Sequence, residues 1–228
     1  MKKLLAILLI ATLAACTSVT KVEGDQVVNG RLAVKLPDAW NRVSLPSAKQ
    51  PFDVWTQEGL TLDHLRIWAA IKPGEALLTR PSGYTPAGEK APRIPTYTKG
   101  MAPDQLVTLF ETLYSGDGSQ VSVSKVEPAL FAGQQGVRFE FAVVRKSDDV
   151  QLKGVGWVAV RADELFAATF VAPRLSFFPR LLPRGRGEDG ADQGLTCTGR
   201  SASAVADGDR LQRRETVQRL KAFFTPVA

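Results

Sequence analysis

The sequence predicts an α+β fold in which helices pack on an antiparallel sheet, followed by a disordered or irregular C-terminal tail. Two groups of alternating apolar residues predict strands, and one segment with helical spacing separates the groups. The tail differs because Arg, Gly, Asp, Ala and Ser dominate it and apolar periodicity is lost. With 44% hydrophobic residues among 228, the chain can bury a substantial core, which excludes a wholly disordered protein.

The first group of strands precedes the helical segment. Residues 32–36 alternate between apolar and polar side chains and predict a strand, which Pro37 is expected to end. Residues 52–55 and 65–71 predict a hairpin. A helix over the second of these segments is the competing interpretation. We favour a strand because the Pro-Gly pair at 73–74 closes the segment and its β-branched and aromatic residues suit a pleated surface.

The helical segment follows a long connection. Residues 79–98 contain repeated Pro and Gly and predict an irregular loop. Pro103 suits the first turn of a helix, and Gly116 is expected to end that helix. The apolar residues between them recur at a spacing of three or four and predict one face packed on the sheet: Leu106, Leu109, Phe110 and Leu113.

The second group of strands follows the helix. Val121 and Val123 indicate a first strand. Residues 137–143, 150–158 and 165–171 then form three apolar runs separated by short charged turns, and they predict an antiparallel meander.

The N-terminus has the features of a secretory signal. Two lysines precede the apolar run 4–13, which is shorter than the roughly 20 residues that span a bilayer. The run ends in Leu13-Ala14-Ala15-Cys16, which resembles the lipobox of bacterial lipoproteins. That resemblance implies cleavage before Cys16 and attachment of acyl chains to its thiol, which would anchor the chain to a membrane. An ordinary secretory signal that contains a cysteine is the alternative.

The residue after Cys16 indicates in which membrane a lipoprotein of this kind is placed. Thr17 stands there rather than Asp, and the lipoprotein resemblance then implies the outer membrane, with the domain facing the periplasm. The chain divides into four segments: a signal peptide at 1–15, a tether at 16–30, an α+β domain at 31–183 and a low-complexity tail at 184–228. Within the tail, Val217, Leu220 and Phe224 predict a short terminal helix.

Charge and composition exclude several kinds of site. The net charge of +6 is modest and the basic residues form no cluster, so no nucleic-acid partner is expected. Two Cys and one His leave too few ligands for a protein-built zinc or haem site. The string Gly185–Gly190 matches a dinucleotide fingerprint, but no predicted strand precedes it. We therefore expect no cofactor and no metal.

The body of the chain resembles a known family. The order of its elements, the strand followed by Pro37-Asp38-Ala39-Trp40, and the meander containing Phe139, Trp157 and Phe170 resemble the PsbP-like α/β/α sandwich. The segment from Trp55 to Asp63 also resembles proteobacterial lipoproteins, over about residues 30–183. These resemblances imply a non-catalytic binding or assembly module, name no partner and bring no catalytic motif. We expect the partner to be an envelope protein or another component of the envelope.

The alternative function is a lipid-anchored hydrolase. His64 is the single histidine, so a triad would have to use it, although neighbouring Asp63 points to the opposite face of a strand. Glu58 and Asp63 are the nearest paired carboxylates, of the kind that glycoside hydrolysis requires. The simpler interpretation assigns His64 to the surface or a sheet edge, the carboxylates to a solvated turn and Glu140 to a solvated strand face. No catalytic residue is predicted.

Overall fold

The architecture is that of a large antiparallel β-sheet with one helix on it. The computed structural model describes residues 18–45, 49–79, 93–174 and the backbone of 224–226. Its elements are nine strands and a helix: β1 Ser18–Val28, β2 Leu32–Ser44, β3 Phe52–Thr56, β4 His64–Ile71, α1 Pro103–Ser115, β5 Gln120–Phe131, β6 Gln134–Val144, β7 Gln151–Arg161, β8 Glu164–Pro173 and β9 Phe224–Pro226.

All strand pairs are antiparallel, in the order β1-β2-β3-β4-β8-β7-β6-β5, and β9 pairs with β2. The predicted hairpin is confirmed as β3 and β4, and the meander as β6, β7 and β8. The strand at the second half of the hairpin begins at His64, so the helical alternative for that segment is wrong. The longest crossover joins β4 to β5 through α1, and β8 then inserts beside β4.

The predicted helix is confirmed as α1. Pro103 occupies its first turn, and the Gln105 side chain accepts a hydrogen bond from the Ala102 backbone at 2.9 Å, which satisfies an otherwise free donor. The helix buries the apolar face that the spacing indicates, together with Val107. That face packs on a cluster of sheet residues that includes Trp68 and Phe139. Burial of such side chains stabilises by about 1.5–3 kcal/mol each.

The predicted fold class, an α+β fold with helices packed on the sheet, is wrong. Within the described residues α1 is the one helix, so the molecule is a mainly β structure and not a sandwich of a sheet between helices. The face opposite α1 is covered by part of the sheet itself, the stretch from Gly24 to Leu36, which we call the folded-back arm. Leu32, Val34 and Leu36 of this arm share one buried cluster with strands β4, β7 and β8. A β-hairpin therefore occupies the place that the prediction assigned to a helix.

A bulge makes the arm fold back. The register passes from Val22↔Trp40 to Gly24↔Leu36, which leaves three residues of β2 opposite one of β1. Pro37 lies in this bulge, where a residue without a backbone N–H breaks no hydrogen bond of the sheet. The prediction that Pro37 ends the strand is therefore wrong, since β2 continues through it to Ser44. Beyond the bend, the Asn29 amide donates to the Ala69 carbonyl of β4 at 2.9 Å.

Most of the segment predicted to be a tether, residues 16–30, is strand β1. Strand β1 begins at Ser18 and pairs with β2 on both sides of the bulge, from Ser18 to Val22 and from Gly24 to Val28. Asn29, Gly30 and Arg31 connect the two strands in a tight turn, in which Asn29 and Gly30 have positive φ and the Arg31 backbone N–H donates to the Val28 carbonyl at 3.0 Å. Most side chains of the strand are polar and face solvent, so the segment lacks the apolar alternation that predicts a strand.

Of the predicted tail at 184–228, the structure describes residues 224–226. Residues 224–226 form β9 against the arm, in the register Val34↔Phe224 and Leu32↔Pro226. Phe224 is thus in a strand and not in the predicted terminal helix, whereas Val217 and Leu220 lie outside the described residues. Most of the 79–98 connection, the predicted signal peptide and both cysteines also lie outside the described residues.

Candidate functional site

Glu58, Asp63 and His64, the candidate residues of the alternative hydrolase, meet at the connection between β3 and β4. This connection, residues 57–63, is called the β3–β4 turn below. Strand β3 is five residues long, and it carries the chain from the sheet end that contains Ser18 to the end that contains this turn. The turn and the start of β1 therefore lie at opposite ends of β3, about 13 Å apart along the strand direction at 3.3 Å per residue.

Asp63 organises the turn. Its side chain is fully buried and accepts hydrogen bonds from Thr56 Oγ1 at 2.8 Å, from the Gln57 backbone at 3.0 Å and from the Glu58 backbone at 2.9 Å. Thr56 Oγ1 in turn accepts from the Gly59 backbone at 2.8 Å. A carboxylate bonded in this way fixes the backbone around it. Asp63 therefore belongs to a turn, as predicted. The prediction that this carboxylate is solvated is wrong, because the side chain is buried.

The turn presents apolar side chains on a rigid backbone. Leu60 and Leu62 are 36% and 45% exposed. The Arg145 guanidinium donates to the Thr61 carbonyl between them at 2.9 Å and holds Asp148 at 2.7 Å, which ties the turn to the β6–β7 connection. Leucines on a fixed turn lose little conformational entropy when a partner covers them.

His64 is not the surface residue that the sequence predicted. It begins β4, which lies between β3 and β8, and its ring stacks on Tyr114 of α1 with the ring centroids 6.0 Å apart. The residue as a whole is half-buried, but Nε2 is closed off from solvent and has no hydrogen-bond partner. Burial holds the pKa of His64 well below its usual value, and the positive charges of Arg66 and Arg145 lower it further.

This geometry makes stability depend on pH. The unfolded chain protonates His64 near pH 6.5 whereas the folded chain keeps it neutral, so below that pH the unfolded state binds more protons. We expect the free energy of unfolding to be level above pH 6.5 and to fall by up to about 1.4 kcal/mol per pH unit below it. His64→Gln should remove this slope between pH 5 and 6.5 in urea titrations. An unchanged slope in the variant would contradict the assignment, because the sequence has no other histidine.

Arg66 is a site residue that the sequence analysis did not single out. It lies two residues after His64 on the same face of β4, and its guanidinium is 5.3 Å from the Phe52 ring centre and 5.2 Å from that of Tyr114. The Tyr114 hydroxyl shares a hydrogen bond of 2.7 Å with Thr169, and burial raises the pKa of Tyr114. Among the described residues no carboxylate forms an ion pair with Arg66, and its Nε lacks a hydrogen-bond partner.

Glu140 is buried and paired, so its prediction as a solvated residue is wrong. It accepts from Arg138 Nη2 at 2.8 Å, and Lys153 Nζ lies 3.7 Å from its second oxygen. Arg138 is 2% exposed, pairs also with Glu127 at 2.8 Å and sits 6.0 Å from the ring centre of Trp157. The hydrogen bond from Lys125 and the charge of Arg138 lower the pKa of Glu127. Every charge in this network has an opposite partner, which is the arrangement of a structural cluster.

The tryptophans lie mainly in the core. Trp55, Trp68 and Trp157 are almost fully buried, and Trp40 packs edge-on against Phe170 at 6.1 Å. Trp55, Trp68 and Trp157 are therefore core residues, and Trp40 packs at the margin of the core. In the described part of the chain no three His, Cys, Asp or Glu side chains gather as metal ligands, and α1 is not long and apolar enough to cross a membrane.

Comparisons with known proteins add one structural likeness. The sequence matches no family model, and the search of the curated proteins gives no match. Among solved structures, the chain is similar to the solution structure of cyanobacterial PsbP (CyanoP) from Synechocystis sp. PCC 6803. The sequence identity is 15%, the TM-score is 0.43, and the alignment covers 72% of this chain and 85% of that one. At that TM-score the likeness carries no argument about function.

Proposed function

We propose that this chain is a lipid-anchored protein of the bacterial cell envelope, attached through Cys16 to the outer membrane and facing the periplasm. Its β domain acts as a non-catalytic binding module for an envelope protein. The observation that supports this proposal is that β1 begins at Ser18, two residues after the lipobox cysteine. An anchor at that position holds one end of the sheet at the membrane and leaves no long tether.

The orientation that follows exposes the β3–β4 turn. Because β3 separates the turn from the end of the sheet beside Ser18, the turn points away from the anchored end. Leu60 and Leu62 then face the periplasm on a backbone that Asp63 and Arg145 hold in place. Exposed apolar residues on a preorganised turn suit a protein partner.

The hydrolase alternative gains no support from the geometry. Asp63 is committed to the turn by three hydrogen bonds, and Glu58, its supposed partner, is exposed and donates its own backbone N–H to Asp63. His64 contacts an aromatic ring, and the hydroxyl of that ring is bonded to Thr169. No observation assigns either carboxylate or the imidazole to a reacting group.

The anchor is tested by metabolic labelling with radioactive palmitate. We expect Cys16→Ser to abolish labelling and to leave an uncleaved precursor, because a serine hydroxyl does not supply the thiolate that lipid transfer requires. Cys197→Ser is the matched control, since it removes the other cysteine of the chain and should keep the label. Equal labelling of wild type and Cys16→Ser would contradict the anchor.

A further inference from the structure

We propose that the end of the sheet beside Ser18, the anchored end, is a second membrane contact, which binds the anionic headgroups of phospholipids. The inference rests on the proposed lipid anchor, which places this end at the membrane, and it adds a surface of the folded domain to the acyl chains. The observation that carries it is a separation of charge between the two ends of the sheet.

The strand order brings distant segments together at the anchored end. Because β3 begins at this end and neighbouring strands are antiparallel, β4 and β7 end there and β8 begins there. The tip of the folded-back arm returns to the same end, where Arg31 forms an ion pair with Glu164 of β8. Lys99, which precedes α1, pairs with Asp163 of the β7–β8 turn at 2.7 Å. The surface therefore combines residues that form no basic run in the sequence.

Basic side chains outnumber acidic ones at the anchored end. Five basic residues lie in its described turns and strand ends against three acidic ones: Arg31, Lys49, Lys72, Lys99 and Arg161 against Glu75, Asp163 and Glu164. Two ion pairs occupy two of each kind. Glu75 accepts a hydrogen bond from the Lys72 backbone at 2.8 Å. The described structure gives no ion pair to Lys49, Lys72 or Arg161, and both lysines are exposed, so they can approach anionic headgroups without breaking an internal pair.

The far end of the sheet has the opposite excess. Its described turns and connections carry six acidic residues against three basic ones: Asp38, Glu58, Asp63, Asp117, Asp148 and Asp149 against Arg145, Lys146 and Arg174. An anionic surface attracts the anchored end and repels the far end, so both interactions favour the same orientation of the domain. In that orientation Leu60 and Leu62 point away from the lipid.

Exposed apolar side chains accompany the basic ones at the anchored end. Val19, beside Ser18, is 59% exposed, and Leu130, near the β5–β6 turn, is 60% exposed. Cys16 is two positions before Ser18, so extended backbone separates their Cα atoms by about 7 Å at most. This short link keeps the end of the sheet near the headgroups, where basic and apolar side chains together are favourable.

The test imposes the anchor, so its outcome does not depend on whether cells acylate Cys16. The mature chain, residues 16–228, contains every described residue. With Cys197→Ser, it is coupled through the Cys16 thiol to a maleimide lipid in nanodiscs that carry gadolinium-labelled headgroups. One set of nanodiscs contains phosphatidylglycerol and phosphatidylcholine, and the other contains phosphatidylcholine alone, at equal ionic strength. The palmitate labelling described above tests the anchor separately.

Nuclear magnetic resonance then measures which backbone amides the gadolinium relaxes. We expect the relaxation of the Gly74 and Ala162 amides to be at least about fivefold stronger with phosphatidylglycerol, since each basic residue near an anionic surface favours contact by about that factor. The Leu62 amide at the far end should show no such increase. Lys49→Gln with Lys72→Gln should lose most of the increase. Lys146→Gln with Arg174→Gln removes the same charge from the far end and should keep it.

Two results would overturn the proposal. One is equal relaxation of the Gly74 and Ala162 amides in the two kinds of nanodisc, which decides the matter in the chain without the glutamine substitutions. The other is an equal loss in the two double variants, which would mean that the membrane responds to net charge and not to a surface at the anchored end.

Discussion

Replacing Arg138 by Met should lower the free energy of unfolding by about 3–5 kcal/mol, because it leaves the buried Glu140 without its closest partner. The second partner of Glu140, Lys153, is farther away at 3.7 Å and cannot restore the lost bond without moving. Glu127 also loses a partner, although Lys125 still holds it at 2.8 Å. Urea denaturation followed by circular dichroism measures the change.

Arg42→Met is the matched control for this prediction. Arg42 also pairs with a carboxylate, that of Asp53, but almost half of its side chain is exposed. Solvent screens such a pair, so we expect a loss of no more than about 1 kcal/mol. If the two variants lose the same amount, Arg138 does not act as the buried centre of a network.

The second large effect is expected at Asp63. Asp63→Ala removes three hydrogen bonds to a fully buried carboxylate and leaves the donors at Thr56, Gln57 and Glu58 without their acceptor. We expect a loss of about 3 kcal/mol or more, since each unsatisfied donor costs about 1–3 kcal/mol where water does not reach it. Asp63→Asn should lose less, because the amide keeps one oxygen acceptor.

Amide hydrogen exchange locates the effect of Asp63→Ala. The Leu62 and Asp63 backbone amides, which donate to the Gly59 carbonyl at 2.8 and 2.9 Å, should exchange faster in the variant. Amides in the middle of β7 should keep their relative protection. Uniform loss of protection over the sheet, with no added effect in the turn, would mean that Asp63 stabilises the fold as a whole and does not set the turn in particular.

Elements with a strong local period were predictable from the sequence. The leucines and phenylalanine of α1 and the alternation of β6 indicate one buried face each, and the structure buries those faces. The same alternation gives a wrong prediction at Glu140. A solvated Glu140 requires that the second face of the strand be exposed. Strand β6 lies inside the sheet, where the face that carries Arg138 and Glu140 is also buried.

The fold class could not be obtained from periodicity. Strand β1 exposes most of its side chains, so its pairing depends on backbone hydrogen bonds and on the Asn29-Gly30 turn, a hairpin signal that was present in the sequence. Pro37 predicts a strand end, although a proline is equally tolerated at a bulge. The folded-back arm follows from these two features together, and it replaces the helix that a sandwich would need on that face.

The candidate site was predictable in part. Glu58, Asp63 and His64 were singled out by residue type and position, and they do meet at one turn. Arg66 and Tyr114 were not, because nothing in local sequence brings the end of a helix onto a strand that precedes it by a long crossover. Side chains from distant elements meet through topology, which the sequence pattern did not specify.

The most direct test of the account is site-specific photocrosslinking in intact cells, because its central claim is that the β3–β4 turn contacts an envelope protein. A photoreactive phenylalanine analogue would replace Leu62, which is 45% exposed in the turn, and in a matched variant Val126, which is 50% exposed on edge strand β5. We predict a discrete adduct of higher mass from position 62 and none from position 126. No adduct from position 62, or the same adduct from both positions, would contradict the claim.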